Sequence, residues 1–237
     1  VTFISWFDLA WCLVPIILVT SVYIAWQGKP SEILIASGRM LVQLVAVGYV
    51  LVSIFETPSP WISLLIVSVM LFVAAWIAIR PVQHHKGYLL PAILALAGSV
   101  FLHLLISLVL VLKTETWYQP QIFIPLAGMY FANTMNAISL SAERYHAELH
   151  NHKSREEARL TAFHAAMIPQ INSLLAVGLV ALPGMMTGQI LSGVSPLIAV
   201  RYQIMIMAMV LGAAGVGAAL MLWLLSRLPS TQKTELS

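Results

Sequence analysis

The sequence predicts an all-α membrane protein of about seven transmembrane helices, with the N-terminus outside and the C-terminus inside. Three observations predict it. First, seven long, almost charge-free apolar stretches run through the chain: Leu9–Trp26, Met40–Phe55, Trp61–Ile79, Leu89–Leu112, Ile122–Ala142, Ala162–Leu182 and Tyr202–Leu225. A helix needs about 20 apolar residues to cross a bilayer's hydrocarbon core, and each stretch is close to that length. Second, the chain is 60% hydrophobic and 9% charged, with a mean hydropathy of +0.90. Apolar runs this long mark a membrane protein and not a soluble core.

Third, the positive charges are sided. Counted over alternate connections, Lys29, Arg39, Arg80, Lys86, Arg144, Lys153, Arg155, Arg159, Arg227 and Lys233 fall on one side and only Lys113 and Arg201 on the other. Lysine and arginine accumulate on the cytoplasmic side, which fixes the orientation and requires an odd number of spans. The same rule accounts for the net charge of +3, so no nucleic-acid partner is implied. Seven spans use most of the 237 residues, so residues 1–237 read as one transmembrane domain. No GxxxxGK[ST] loop is present, and ATP hydrolysis by this chain is not expected. Cys12 is the only cysteine, which excludes an internal disulfide. Asp8 is the only early charge, so the first stretch is not read as a secretory signal.

Taken in order, Pro30-Ser31-Glu32 predicts a short interfacial helix capped by Ser31, with Glu32 at its N-terminus. Gly38-Arg39 would then turn the chain into the second span, Arg39 reaching back to the headgroups. The fourth span holds His103. A titratable group at that depth is either functional or hydrogen-bonded to a neighbouring helix. On the fifth span Asn133, Asn136 and Ser139 recur every three residues, and Met129 lies four before Asn133, so all share one face. Buried amides need partners. That face is either a helix–helix contact or the lining of a pathway.

Residues 143–160 read as a cytosolic loop. Glu143–Arg159 holds eight of the 21 charged side chains, together with His146, His150 and His152. The i, i+4 pair His146 and His150 could touch a metal, but no cysteine or carboxylate of matching geometry joins them. Ser154-Arg155-Glu156-Glu157 has the form of a capping box, so a helix should start at Arg155 and run into the sixth span. Pro169 should kink it. Residues 183–196 are uncharged but rich in helix breakers. They predict a re-entrant, interfacial or extracytoplasmic segment, since irregular backbone at membrane depth needs protein or water around it. Met185 and Met186 there supply thioethers that suit soft metals, or pack as adaptable hydrophobes. Gly212, Gly215 and Gly217 mark a close-packing seam on the seventh span, open to a second copy of the chain.

Several of these stretches resemble the Fet-type iron-export permeases, the FetB family, which includes plant aluminium-tolerance transporter subunits. The likeness lies in Gly38–Leu51, in Ile124-Pro-Leu-Ala-Gly-Met129 with Asn133, in Val177–Gly188 with its Leu-Pro-Gly-Met-Met-Thr-Gly run, and in Tyr202-Gln-Ile-Met205. The resemblance implies the permease subunit of an ABC transporter in the inner (plasma) membrane. It would be a homodimer paired with a cytosolic ABC ATPase that carries ATP and Mg, and it would export iron or a related metal. The chain itself would bind no cofactor and hold no catalytic residue. Arg155, Glu156, Glu157 and Arg159 are the expected coupling residues. Met129, Asn133, Asn136, Met185 and Met186 are the expected substrate path, with the two elements facing each other in the outer half of the membrane. The family carries a longer stretch after the fifth span than Leu149–Ser154 provides.

Three rivals are weaker. A proton-coupled transporter would need a buried carboxylate relay, and no Asp or Glu lies inside the seven stretches. A seven-helix receptor would need a ligand or signalling segment that the short ends do not offer. An intramembrane enzyme would need paired acids, an HExxH or a nucleophile–base pair. An ABC exporter of a non-metal small molecule or lipid remains the closest alternative.

Overall fold

The computed structural model describes residues 4–56, 58–82 and 87–228. Lys86 and Lys233 of the charge count lie outside these. The chain divides into two compact units, Val1–Thr57 and Pro58–Ser237.

The first unit holds α1 (Trp6–Leu9), a 3-10 turn at Ala10–Cys12, α2 (Leu13–Ala25) and α3 (Pro30–Glu56). Ser5 and Asp8 cap α1 reciprocally, which gives the N-terminal donors partners. At the end of α2, Gln27 turns left-handed at φ 60, Gly28 N donates to Tyr23 O and Gln27 N to Ile24 O. This is a Schellman closure with glutamine where glycine is usual. The expected short helix before the second span is not separate. Pro30 begins one helix of 27 residues, about 40 Å long, with no turn at Gly38-Arg39. Ser31 lies inside it and does not cap it. Proline at the first helical position is already set for the helix, and nothing at Gly38 withdraws a hydrogen bond. Among the described residues of these two helices, only Thr20 on α2 and Ile54 on α3 are buried.

The second unit holds α4 (Pro60–Ala78), α5 (Leu89–Leu105), α6 (Pro120–His150), α7 (Arg155–Ala176), α8 (Gly184–Leu191) and α9 (Pro196–Arg227). α6 and α9 are central. α4, α5 and α7 pack around them. The seams use small residues: Ala92 and Ala95 on α5, Ala127 and Ala137 on α6, Ala158, Ala162 and Ala166 on α7, and Ala213, Ala214 and Ala218 on α9. Without side-chain bulk, helix backbones approach closely, and packing replaces the hydrophobic drive that a bilayer lacks.

The glycine seam of the last span is used inside the chain. A Cβ at Gly217 would overlap Thr134 Cγ2, one at Gly212 would overlap His103 Nε2, and one at Gly215 would touch Met167. His103 is therefore packed on α9, but its hydrogen bond stays within its own helix. Nδ1–H donates to Ser99 O at 2.8 Å. Ser107 Oγ donates to His103 O and lies 2.7 Å from the Tyr130 hydroxyl of α6. α5 then continues as a π-helical turn, Ile106–Val111, with Leu112 N donating to Ser107 O.

Among the described residues, five helical runs are long and apolar enough to cross a membrane: Trp6–Ala25, Pro30–Glu56, Pro60–Ala78, Leu89–Val111 and Pro196–Arg227. α6 and α7 are long but carry amides, hydroxyls and charged ends. The expected sixth span, Ala162–Leu182, is shorter than predicted, because α7 ends at Ala176. Val177 is extended, Gly178 takes φ +85 and donates to Ala181 O, and the carbonyl of Ala176 accepts the N–H groups that follow. Apolar composition alone could not mark that end.

Gly217→Ala should lower stability by about 1 to 3 kcal/mol, through overpacking at the α6–α9 crossing. Thr134→Ser removes the methyl group in the way and should restore most of the loss. Thermal melting of the single and double variants in detergent checks both. A double variant no better than Gly217→Ala would place the strain elsewhere.

Candidate functional site

α6 runs unbroken from Pro120 to His150, and this sets the geometry. Its buried face, including Phe131, Thr134 and Ile138, packs into the core, so Asn133 and Asn136 point elsewhere. They open toward α7, where a cleft of ≈ 200 Å³ lies between the two helices. Asn133, Asn136, Pro169, Gln170 and Ser173 line it. Asn133 is half-buried and donates Nδ2–H to Met129 O at 2.9 Å, while Asn136 is exposed. Pro169 lies within α7 and supplies no N–H to the carbonyl four residues back. Gln170 is 8% exposed. Neither the hydrogen bonds nor the ion pairs of the described residues include its side chain.

Gln170 escaped the sequence reading. The rule that singled out Asn133, an amide inside an apolar span, applies to it equally. It stands alone beside a proline and shows no helical repeat, whereas the α6 amides recur on one face.

Met129 packs half-buried against the core. Met185 and Met186 do not join the amides. They sit in the first turn of α8, which packs chiefly on α9. Met185 is 37% exposed and Met186 half-buried. Residues 183–196 are thus more regular than predicted. Pro183 stands at the N-cap position, and Gly193 at φ 92 closes the helix, with Val194 N donating to Gln189 O. Glycines at the ends of a segment punctuate a helix instead of breaking it.

The charged stretch is a helix–turn–helix and not a loop. Glu143–His150 form the end of α6, Arg155–Leu160 the start of α7, and only Asn151–Ser154 connect them. His152 turns left-handed at φ 60, with Lys153 N donating to Glu148 O and His152 N to Leu149 O. The connection is continuous and closed by backbone bonds. Glu148 is its anchor. Its side chain is 3% exposed and lies 2.6 Å from both Arg144 and Lys153.

Ser154 and Glu157 form the predicted capping box. Arg155 Nη1 donates to Ser226 O at 2.9 Å, tying the start of α7 to the end of α9. Of the four expected coupling residues, then, Arg155 and Glu157 hold structural bonds, Arg159 is half-buried and Glu156 is exposed. Among the described residues no three His, Cys, Asp or Glu side chains come together as a metal site.

The hydrogen bond from Lys153 and the charge of Arg144 hold the Glu148 carboxyl below its ordinary 4.5, against the opposing effect of burial. A depressed carboxylate contributes stability that is fully present above the unfolded value and is lost as pH falls through the folded one. Glu148→Gln should melt below wild type at pH 7. The gap should close as pH is taken under 4.5. A gap constant with pH would mean that the charge does not hold the turn.

These features define the class: an all-helical, multi-pass membrane protein with an amide-lined cleft between two of its less apolar helices. The sequence profile of the uncharacterised protein family UPF0014 matches residues 6–162 and 154–228, and the chain belongs to that family. It is 35% identical over 226 residues to the UPF0014 membrane protein slr1647 of Synechocystis, covering 88% of this chain and 87% of that one. It is 32% identical over 213 residues to the probable iron export permease protein FetB of Escherichia coli, covering 83% and 81%. It is 30% identical over 223 residues to the protein ALUMINUM SENSITIVE 3 of Arabidopsis thaliana, covering 87% and 79%. No solved structure matches the chain.

Proposed function

We propose that this chain is the membrane-spanning permease subunit of an ABC transporter that exports iron or a related metal across the inner (plasma) membrane. The observation that carries the reading is a polar cleft between α6 and α7 in a relative of a probable iron export permease. With Glu143 taken as the inner edge of the fifth span, helix geometry gives the cleft's depth. Asn136 and Asn133 lie seven and ten residues inward of Glu143, about 10 and 15 Å at 1.5 Å per residue, within a core about 30 Å thick. Polar side chains at that depth turn to protein or to a water-filled path, and here they turn to an open cleft.

In this reading α6 and α7 cross the membrane beside the five apolar runs, giving seven spans with the N-terminus outside. Lipid cannot satisfy the exposed Asn136, so a second copy of the chain closes the cleft and the permease is a homodimer. Met129, Asn133 and Asn136 line the path, and Met185 and Met186 stand at its outer mouth. A separate cytosolic ATPase binds ATP and Mg. It docks on the α6–α7 turn through Arg155, Glu156, Glu157 and Arg159. Because Arg155 grips α9, a push on the turn would move α6, α7 and α9 together.

In a Cys12→Ser background, a cysteine at Thr114 should label in sealed cells and one at Ser154 should not; the reverse pattern sinks the topology. Co-reconstitution with a candidate ATPase should give ATP hydrolysis stimulated by ferrous iron above other metals. Replacing Met185 and Met186 with leucine preserves volume and should lower that stimulation while protein levels hold. Normal stimulation would reduce the pair to packing, and no metal response in the wild type would overturn the metal reading.

A further inference from the structure

Building on that transport reading, we infer that the α6–α7 cleft holds its divalent cation as the hydrated ion, the protein touching coordinated water and not the metal. The donor set points there. The lining contains three carboxamides and one hydroxyl, with no carboxylate, imidazole, thiolate or thioether. Stripping a small divalent ion of water requires a near-complete shell of oxygen ligands in fixed geometry, and such ions give up water reluctantly. Neither these two helices nor the same cleft of a facing copy offers more than neutral amides and a hydroxyl, which do not supply that shell.

They do supply acceptors for water. The Nδ2 of Asn133 is engaged by Met129 O, which leaves Oδ1 as an acceptor. Gln170 is 92% buried by its 8% exposure, lines the cleft and has no hydrogen bond to protein among the described residues. Its amide therefore meets the water of the cleft and no protein group, and a water bound to a metal is a stronger donor than bulk water because the ion acidifies it. The size agrees. The ≈ 200 Å³ cleft has room for an ion together with several waters. The field agrees as well. Ser173 lies in the last turn of α7, which ends at Ala176, and a helix C-terminus carries partial negative charge that favours a cation. No Lys or Arg lines the cleft.

The test uses the full chain in lipid nanodiscs, without any ATPase and with Mn²⁺ as the probe. Electron paramagnetic resonance titration counts bound Mn²⁺, and electron–nuclear double resonance in labelled water counts the waters it keeps. One ion retaining essentially its full water shell is expected. Gln170→Met, similar in volume, should weaken binding by about tenfold, the worth of a hydrogen bond to a charged group, with an unchanged melting temperature. Gln170→Glu should bind more tightly and displace water from the metal. No Mn²⁺ binding, a wild-type ion that has lost half its waters, or equal affinity in Gln170→Met overturns the inference. The two readings fail separately. Wild type that binds the hydrated ion but drives no metal-stimulated ATP hydrolysis refutes export, whereas export with a dehydrated ion refutes this inference.

Discussion

Thr134 Cγ2 occupies the space that a side chain at residue 217 would fill, and α6 can approach α9 only because Gly217 has none. That approach fixes the rotation of α6. With Thr134, Ala137 and Ile138 committed to the core, Asn133 and Asn136 are turned onto α7, and the cleft lies where they point. The same seam seats His103 of α5 against Gly212. Two glycines one and a half turns apart on α9 thus hold two different helices, and both would be displaced by a methyl group.

A second constraint acts at the polar end. Glu148 is a carboxylate almost removed from solvent, and it is tolerable there because two cations reach it from either side. Lys153 meets it twice, through the ammonium on the carboxylate and through the backbone N–H on the carbonyl. The pair therefore fixes the register of a turn that has no glycine to relax into. Arg155 continues the linkage to Ser226, so three helix ends meet within a few side chains of one another.

Much of this was legible in the sequence, for identifiable reasons. The positions of the five apolar runs follow from hydropathy, and the start of α7 follows from Ser154 and Glu157, because a capping box is a local bond between residues three apart. What was missed depends on context. Ser31 reads as the cap of a short helix, but the helix begins at Pro30 and runs on past Gly38 to Glu56. The end of α7 is set by the left-handed Gly178 in an apolar run that looks helical throughout. Gln170 needed its partner helix in place before its isolation could be seen. The glycine seam was recognised as a seam, but sequence does not say whether the facing helix belongs to the same chain.

The π-helical turn at Ile106–Val111 changes how α5 must be compared with other proteins. A backbone bond from Leu112 back to Ser107 closes over one residue more than an α turn does. Leu89–Leu105 keep the α repeat, whereas Ile106–Val111, which end the helix, keep the wider one. Two residues three or four apart share a face in the first part, but not in the second. An alignment column by column, or a helical wheel drawn through the whole of Leu89–Val111, would assign the far end of this helix to the wrong side.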